Sequence, residues 1–343
     1  MNVFIGLDVS LASTAICVLG PQGKVVEELK AASEPEALVR AMASLPYAVD
    51  AIGLEAGPLS QWLSKGIEEA GFDVVLMETR LVKAALKAMP IKTDRRDAQG
   101  IARLLQMGWY RPVHRKSVSS QEIRALLSAR KSIQQAIINI ELSMRGVLRN
   151  FGLKLGHVTR VRYEARVREL VADNDILSAS ALALLRTRGQ LRTELASLDE
   201  KVVGLAEHDD VCRLMMTMPG VGPIVALTVR SAIDDPARFA KSRDIGPWVG
   251  LTPRRTQSGE MDIVGQITRA GDRGLRSALY QAATILMHRA APNWLQAWAL
   301  RVAHRRGSKR ALIALARRIG VILHRMWMDG SPFRFTLNPG PTA

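Results

Sequence analysis

Residues 1–29 read MNVFIGLDVSLASTAICVLGPQGKVVEEL, and the fold is decided there. Residues 2–9 alternate too weakly for a strand with one wet face and read as a buried strand. Residues 14–19 read as a second strand and 25–29 as a third, with a Pro21-Gln22-Gly23 turn between the last two. Outward from this meander, residues 36–44 are expected to be helical. Residues 51–55 form a short buried strand that ends on a carboxylate. Residues 61–70 form an amphipathic helix closed by Gly71, 72–77 another strand and 80–88 another helix. The order βββαβαβα predicts an α/β mixed sheet with helices on its faces, the order of an RNase H-like domain.

Beyond it the pattern lengthens. Residues 119–151 carry apolar positions at helical spacing, and Leu191, Leu195, Leu198, Val202 and Leu205 follow a 4-3-4-3 heptad spacing. A helical hairpin or coiled-coil arm is expected, open either to dimerisation or to packing within the monomer. From Met218 the chain reads as helical segments to about Arg325, then an extended Pro/Gly-rich tail, SPFRFTLNPGPTA. The expected domains are 1–115, 116–210 (the arm) and 211–343, the last mostly α with a helix-hairpin-helix-like motif.

Charge is unevenly spread. Residues 1–100 carry 10 Lys+Arg against 13 Asp+Glu, whereas the remainder carries 38 against 19. A basic remainder of that size points to a polyanionic partner, nucleic acid above all, the plainer alternative being a ribosomal or general architectural protein. With 48% hydrophobic and 23% charged residues the chain is neither disordered nor low-complexity. Its two cysteines, Cys17 and Cys212, are far apart, which excludes a disulfide scaffold and a cysteine zinc site and fits a reducing cytoplasm. No basic n-region opens the chain, and no apolar run approaches the ~18 uncharged residues that a membrane helix needs, so a soluble, cytoplasmic protein without a membrane partner is expected.

Four groups of residues can carry chemistry. Asp8 on the first strand, Glu55 at the end of the fourth, and Asp94 with Asp97 in KTDRRDA are acidic; the last two stand i, i+3 at a helix start. Converging carboxylates repel unless a cation lies between them, and two Mg²⁺ ions ~4 Å apart would stabilise the attacking and leaving oxygens of a phosphodiester. Asp94 and Asp97 can equally complement the helix dipole, with Thr93 as N-cap. Lys92, Arg95 and Arg96 are phosphate clamps or a solvated face. Gly220 and Gly222, in PGVG, expose backbone N–H groups to a phosphate, or simply make a tight helix–helix turn. Ser258, in the loop GLTPRRTQSG, has Arg254 and Arg255 to position a phosphate beside its hydroxyl; the plainer alternative is a Ser-Gly turn. Residues 301–325 hold eight basic residues and no acid, Arg305, Arg306, Lys309 and Arg310 among them, and read as a surface for nucleic-acid backbone.

GLDVS, GLEAG, KTDRRDA, MPGVG, GLTPRRTQSG and AGDRGLRSAL, in this order along nearly the whole chain, resemble the IS one-ten family of insertion-sequence transposases, with the Piv-like DNA invertases as relatives. The chain departs from the family in GLDVSLAS, where a lysine often follows, and in EAGP, where EATG is commoner. The resemblance implies a RuvC-like DEDD domain in which Asp8, Glu55, Asp94 and Asp97 hold Mg²⁺. It further implies a helical arm and a C-terminal transposase domain whose Ser258 attacks DNA. A structured noncoding RNA as guide, a homo-oligomer (dimer or tetramer) with shared active sites, and nucleoid association when active belong to the same implication. Two other functions fit the residues: a DEDD junction nuclease using water, and a non-enzymatic nucleic-acid-binding protein.

Overall fold

The computed structural model describes residues 1–87 and 93–336. Ala88 at the end of an expected helix, Lys92, and the tail beyond Thr336 lie outside them. The chain divides into two compact units, Met1–Lys116 and Ser117–Ala343.

The first unit holds β1 (Asn2–Val9), β2 (Ser13–Leu19), β3 (Val25–Ala32), α1 (Pro35–Ala43), β4 (Ala48–Glu55), α2 (Ser60–Glu69), β5 (Val74–Met77), α3 (Thr79–Leu86) and α4 (Asp94–Gln106). The sheet order is β3-β2-β1-β4-β5. The meander pairs antiparallel, and β1, β4 and β5 run parallel, so the acid-bearing strands β1 and β4 are neighbours. Strand alternation divides the apolar residues between two faces. Val3, Ile5, Leu7, Ile52 and Leu54 bury against Leu38 and Met42 of α1 and Leu63 and Ile67 of α2. The opposite face, with Cys17 and Leu19, receives Ala98, Ile101, Ala102 and Leu105 of α4.

The second unit is mostly helical. It contains α5 (Val118–Asn150), α6 (Tyr163–Val171), α7 (Asp175–His208), α8 (Asp210–Met216), α9 (Pro223–Ile233), α10 (Ile245–Trp248), the strands β6 (Pro253–Ser258) and β7 (Met261–Ile267), α11 (Arg273–Arg289), α12 (Trp294–Arg306) and α13 (Ser308–Asp329). At 1.5 Å per residue α5 is about 50 Å long. It packs along α7, and their far ends share a core with α6 built on Met144, Leu148, Tyr163, Val167, Leu177 and Leu185. Arg188 pairs there with Glu141 at 2.7 Å and covers the Tyr163 ring. A larger core joins α8, α9, α11 and α13 through Met215, Leu227, Leu279, Leu286, Leu315 and Leu323.

One expectation is corrected. The stretch from Met218 to Arg325 is not all helix: β6 and β7 pair as an antiparallel hairpin, so Ser258 ends a strand rather than lying in an open loop. Almost every residue of the two strands is exposed. β6, PRRTQS, offers no period-two apolar pattern to read, and the alternate Met261 and Ile263 of β7 are exposed.

Candidate functional site

The acidic residues meet because α4 lies unusually close to the sheet. A Cβ on Gly6 would fall 2.2 Å from the Ala98 carbonyl oxygen and 2.4 Å from the Ala102 nitrogen; on Gly53 it would meet Ile101 and Leu105 of α4 at 3.4 Å and the Met77 methyl of β5 at 2.5 Å. Two residues beyond each glycine, and therefore on the same face of the sheet, stand Asp8 and Glu55. The parallel register pairs Leu7 with Leu54, which sets Asp8 beside Glu55 at the carboxyl ends of β1 and β4. Thr93 caps α4, its hydroxyl accepting from the Arg96 N–H, and Asp97 in the first turn comes down on that strand end.

Asp8, Glu55 and Asp97 thus line one cavity of about 720 Å³, together with Ser10, Ser60, Lys83 and Lys87. Asp97 is almost wholly buried, while Asp8 and Glu55 are half-buried. Asp94, at the first position of α4, is exposed and does not line the cavity. The three lining carboxylates are an all-oxygen donor set of the kind a hard divalent cation takes. Among the described residues no three acidic, His or Cys side chains are drawn tightly enough together to hold an ion as they stand. Lys83 contributes the nearby positive charge, its Nζ 3.8 Å from Glu55 Oε1. Sequence reasoning passed over Lys83 and Lys87, and also the glycines; the signal available was the repeated Gly-Leu-acid triplet at residues 6–8 and 53–55. Of the expected clamps, Arg95 is occupied in an ion pair with Glu28, Arg96 is half-buried, and Lys92 lies outside the described residues.

In the second unit Ser258 pairs with Met261 across a two-residue turn, Gly259-Glu260. Gly259 takes φ +55°, the positive value that a type II′ hairpin turn needs at its first central position. The hydroxyl-bearing residue is exposed at the tip. Arg255 is held by the Asp262 carboxylate through Nε at 2.6 Å and through Nη2, and this keeps Asp262 below the ordinary carboxylate range. Arg254 donates to the Thr268 carbonyl at 3.4 Å. The base of the hairpin is clamped by glycines at positive φ. A Cβ on Gly250 would meet Ala270 at 2.3 Å, and one on Gly271 the Trp248 carbonyl at 2.2 Å. Arg276 donates to the carbonyls of Val249 and Gly271, each at 3.1 Å. AGDRGLRSAL is therefore the structural foundation of the serine hairpin.

Gly220, at φ +86°, lies against the Ala282 carbonyl of α11, where a Cβ would be 2.5 Å away; its close approach is to this chain's own backbone. Gly222 opens α9 and has open space around it. Arg305, Arg306, Lys309 and Arg310 are all exposed, but they straddle Gly307 (φ +83°), so they occupy the corner between α12 and α13 rather than one helical face. Arg318 is removed from that surface: it lies 5.1 Å and 4.4 Å over the Trp294 and Trp298 rings, and burial lowers its pKa.

Residues 5–152 match the DEDD transposase model of the IS110 type, described as "Transposase", and residues 212–299 match the model described as "Transposase IS116/IS110/IS902 family". The chain belongs to the IS116/IS110/IS902 family of transposases. Among its relatives is the transposase for insertion sequence element IS1111A of Coxiella burnetii, 29% identical over 93% of this chain and 88% of that protein. A putative transposase of Sinorhizobium fredii is 29% identical over 82% of this chain and 74% of its own length. The pilin gene-inverting protein of Moraxella bovis is 29% identical over 35% of this chain and 38% of that one. Like its family, the chain is a DNA-cleaving, strand-transferring enzyme that acts in transposition and recombination. No helix among the described residues is long and apolar enough to cross a membrane.

Proposed function

We propose that this transposase cuts and rejoins DNA with Ser258 as nucleophile, and that Asp8, Glu55 and Asp97 form its Mg²⁺ site in an RNase H-like domain, with Asp94 joining from the exposed start of α4 when the ion and DNA are bound. The observation that carries the reading is the meeting of Asp8, Glu55 and Asp97 in one cavity at the ends of β1 and β4. The strand order β3-β2-β1-β4-β5 supports the RNase H-like assignment. Mg²⁺, when bound, supplies charge neutralisation for the phosphate oxygens and for the carboxylates around it. Arg254 orients the phosphate by charge-assisted hydrogen bonds, together with the part of the Arg255 fork that Asp262, bound through Nε and Nη2, leaves over. The Ser258 oxygen bonds to phosphorus as the phosphorus–oxygen bond to the departing strand breaks. The serine proton is released to solvent, and the departing oxygen takes one up. Rejoining runs the exchange backwards, so the phosphodiester energy is retained in the serine ester.

Around this centre, Lys92, Arg96, Arg305, Arg306, Lys309 and Arg310, with the backbone at Gly220 and Gly222, hold nucleic-acid backbone, and Arg95 joins them by exchanging Glu28 for a phosphate. A structured noncoding RNA serves as guide, and the protein works in the cytoplasm as a homo-oligomer. The exposed Ile138, Leu142 and Val147 on α5 support assembly through the arm.

The test is covalent trapping on duplex DNA carrying the junction of its own element. Wild type should yield a denaturant-resistant protein–DNA adduct. Ser258→Ala should yield none and cut nothing while binding the same DNA, and Asp97→Asn should lose cutting through loss of the divalent ion. Undiminished cleavage by Ser258→Ala would make water the nucleophile and the chain a metal-dependent nuclease.

A further inference from the structure

The far end of the helical arm carries a basic pocket that the catalytic reading leaves unused. Helix α5 ends in a Schellman turn: the Leu153 N–H donates to the Leu148 carbonyl and the Gly152 N–H to the Arg149 carbonyl, both at 3.0 Å, with Gly152 at φ +72°. The turn folds the next residues back along the last turns of α5, and Leu155 buries in the arm's core. A cavity of about 410 Å³ results, lined by Arg145, Arg149, Lys154, Leu155, Gly156 and His157. Arg145 is fixed by donating from Nη1 to the Gly156 carbonyl at 3.0 Å, which leaves most of its fork free.

The lining holds three permanent cations and no carboxylate, and among the described residues no ion pair engages Arg149 or Lys154. On the neighbouring helix α6, by contrast, Arg166 pairs with Glu169 and Arg168 with Glu164. A cation in the last helical turn complements the dipole, which accounts for Arg149. It does not account for Lys154 and His157, which lie beyond the helix. Concentrated like charge of this kind is unfavourable by itself and is relieved by a polyanion.

We infer that the arm-tip pocket seats backbone phosphate of a nucleic acid, with Arg145, Arg149 and Lys154 as its contacts. The inference rests on the nucleic-acid reading of this transposase but concerns a site some distance along the arm from Gly220, Gly222 and Ser258 in sequence. Duplex DNA and single-stranded RNA offer the same phosphodiester, and the number of counterions released tells them apart.

The full-length chain is titrated against a fluorescent DNA duplex and a fluorescent single-stranded RNA, each of arbitrary sequence, across a KCl series. The doubly substituted Arg149→Gln/Lys154→Gln protein is compared with Lys24→Gln/Lys30→Gln, which removes the same charge from β3 and the turn before it in the first unit. Losing two phosphate contacts should flatten the log–log salt slope by about 1.8 on duplex DNA, or by about 1.4 on single-stranded RNA. The probe that responds identifies the occupant, and Lys154→Arg should keep the wild-type slope. A slope no flatter than that of the control pair on both probes overturns the pocket. Wild type binding neither probe would overturn the nucleic-acid reading as well. Circular dichroism and gel filtration unchanged from wild type exclude misfolding, since neither side chain is buried.

Discussion

Gly6 and Ala98 stand closer than any side chain would allow, with only 2.2 Å between the Ala98 carbonyl oxygen and the point where a Gly6 Cβ would be. This contact lays α4 on the sheet and delivers Asp97 to Asp8 and Glu55. Gly6→Ala forces backbone against backbone and should destabilise the first unit by about 3 kcal/mol, at the upper end of ordinary overpacking. Gly146 of α5 has open space around it, and Gly146→Ala should stabilise by about 0.5–1 kcal/mol through helix propensity. Urea midpoints of the two variants moving in the same direction would contradict the packing argument.

Lys83 competes for Glu55 with anything else that the cavity takes up. The pair is substantially exposed, so Lys83→Met should change stability by less than about 1 kcal/mol. Its effect should fall on ligation instead: Mn²⁺ should bind more tightly once the ammonium is gone. Calorimetric titration showing weaker Mn²⁺ binding would assign Lys83 a supporting role in the ion site.

Burial raises both thiols. Cys17 is pushed up to about 11, with Glu28 adding to the effect, and Cys212 is pushed higher still by burial and by Asp209. At pH 7 the Cys17 thiolate fraction is on the order of 10⁻⁴, so the native protein should be inert to a colorimetric disulfide reagent. Two equivalents should react after guanidinium is added. Prompt reaction of either thiol in the folded state would show that its unit opens readily.

Asp272 caps α11, accepting from the Leu275 N–H at 2.9 Å, and pairs with Arg124 at 2.7 Å. Burial alone would raise its pKa, but the Leu275 N–H and Arg124 outweigh it and leave the carboxyl below its ordinary value. The unfolded chain therefore takes up this proton first. The stabilisation is complete above the unfolded value of about 3.9 and disappears as pH falls through the lower folded value. Asp272→Asn keeps a cap but loses the charge. It should cost on the order of 1 kcal/mol at pH 7, a difference that shrinks towards pH 3 in urea melts. A pH-independent difference would mean that shape, not charge, is what Asp272 supplies.

Much of this protein was legible from the chain alone. The three-strand meander, the carboxylates closing β1 and β4, the Thr93 cap and the long helices α5 and α7 all follow from local periodicity and turn chemistry, which act over a few residues and leave a pattern in them. Tertiary structure decided the rest. The i, i+3 spacing placed Asp94 and Asp97 together, yet only Asp97 enters the cavity, because it lies over the ends of β1 and β4 and Asp94 at the exposed start of the helix. Lys83 reaches Glu55 from an element distant in sequence. Arg255 and Arg95, which look like free cations in the sequence, are occupied by Asp262 and Glu28. Strand β6 of the serine hairpin left no periodic trace because neither face of the hairpin is buried within this chain, and its hold comes from Gly250 and Gly271 wedged against the backbone on the other side of its base. Propensity and patterning are properties of neighbours along a chain, whereas the pairing of charges and the approach of one backbone to another exist only once distant segments have packed.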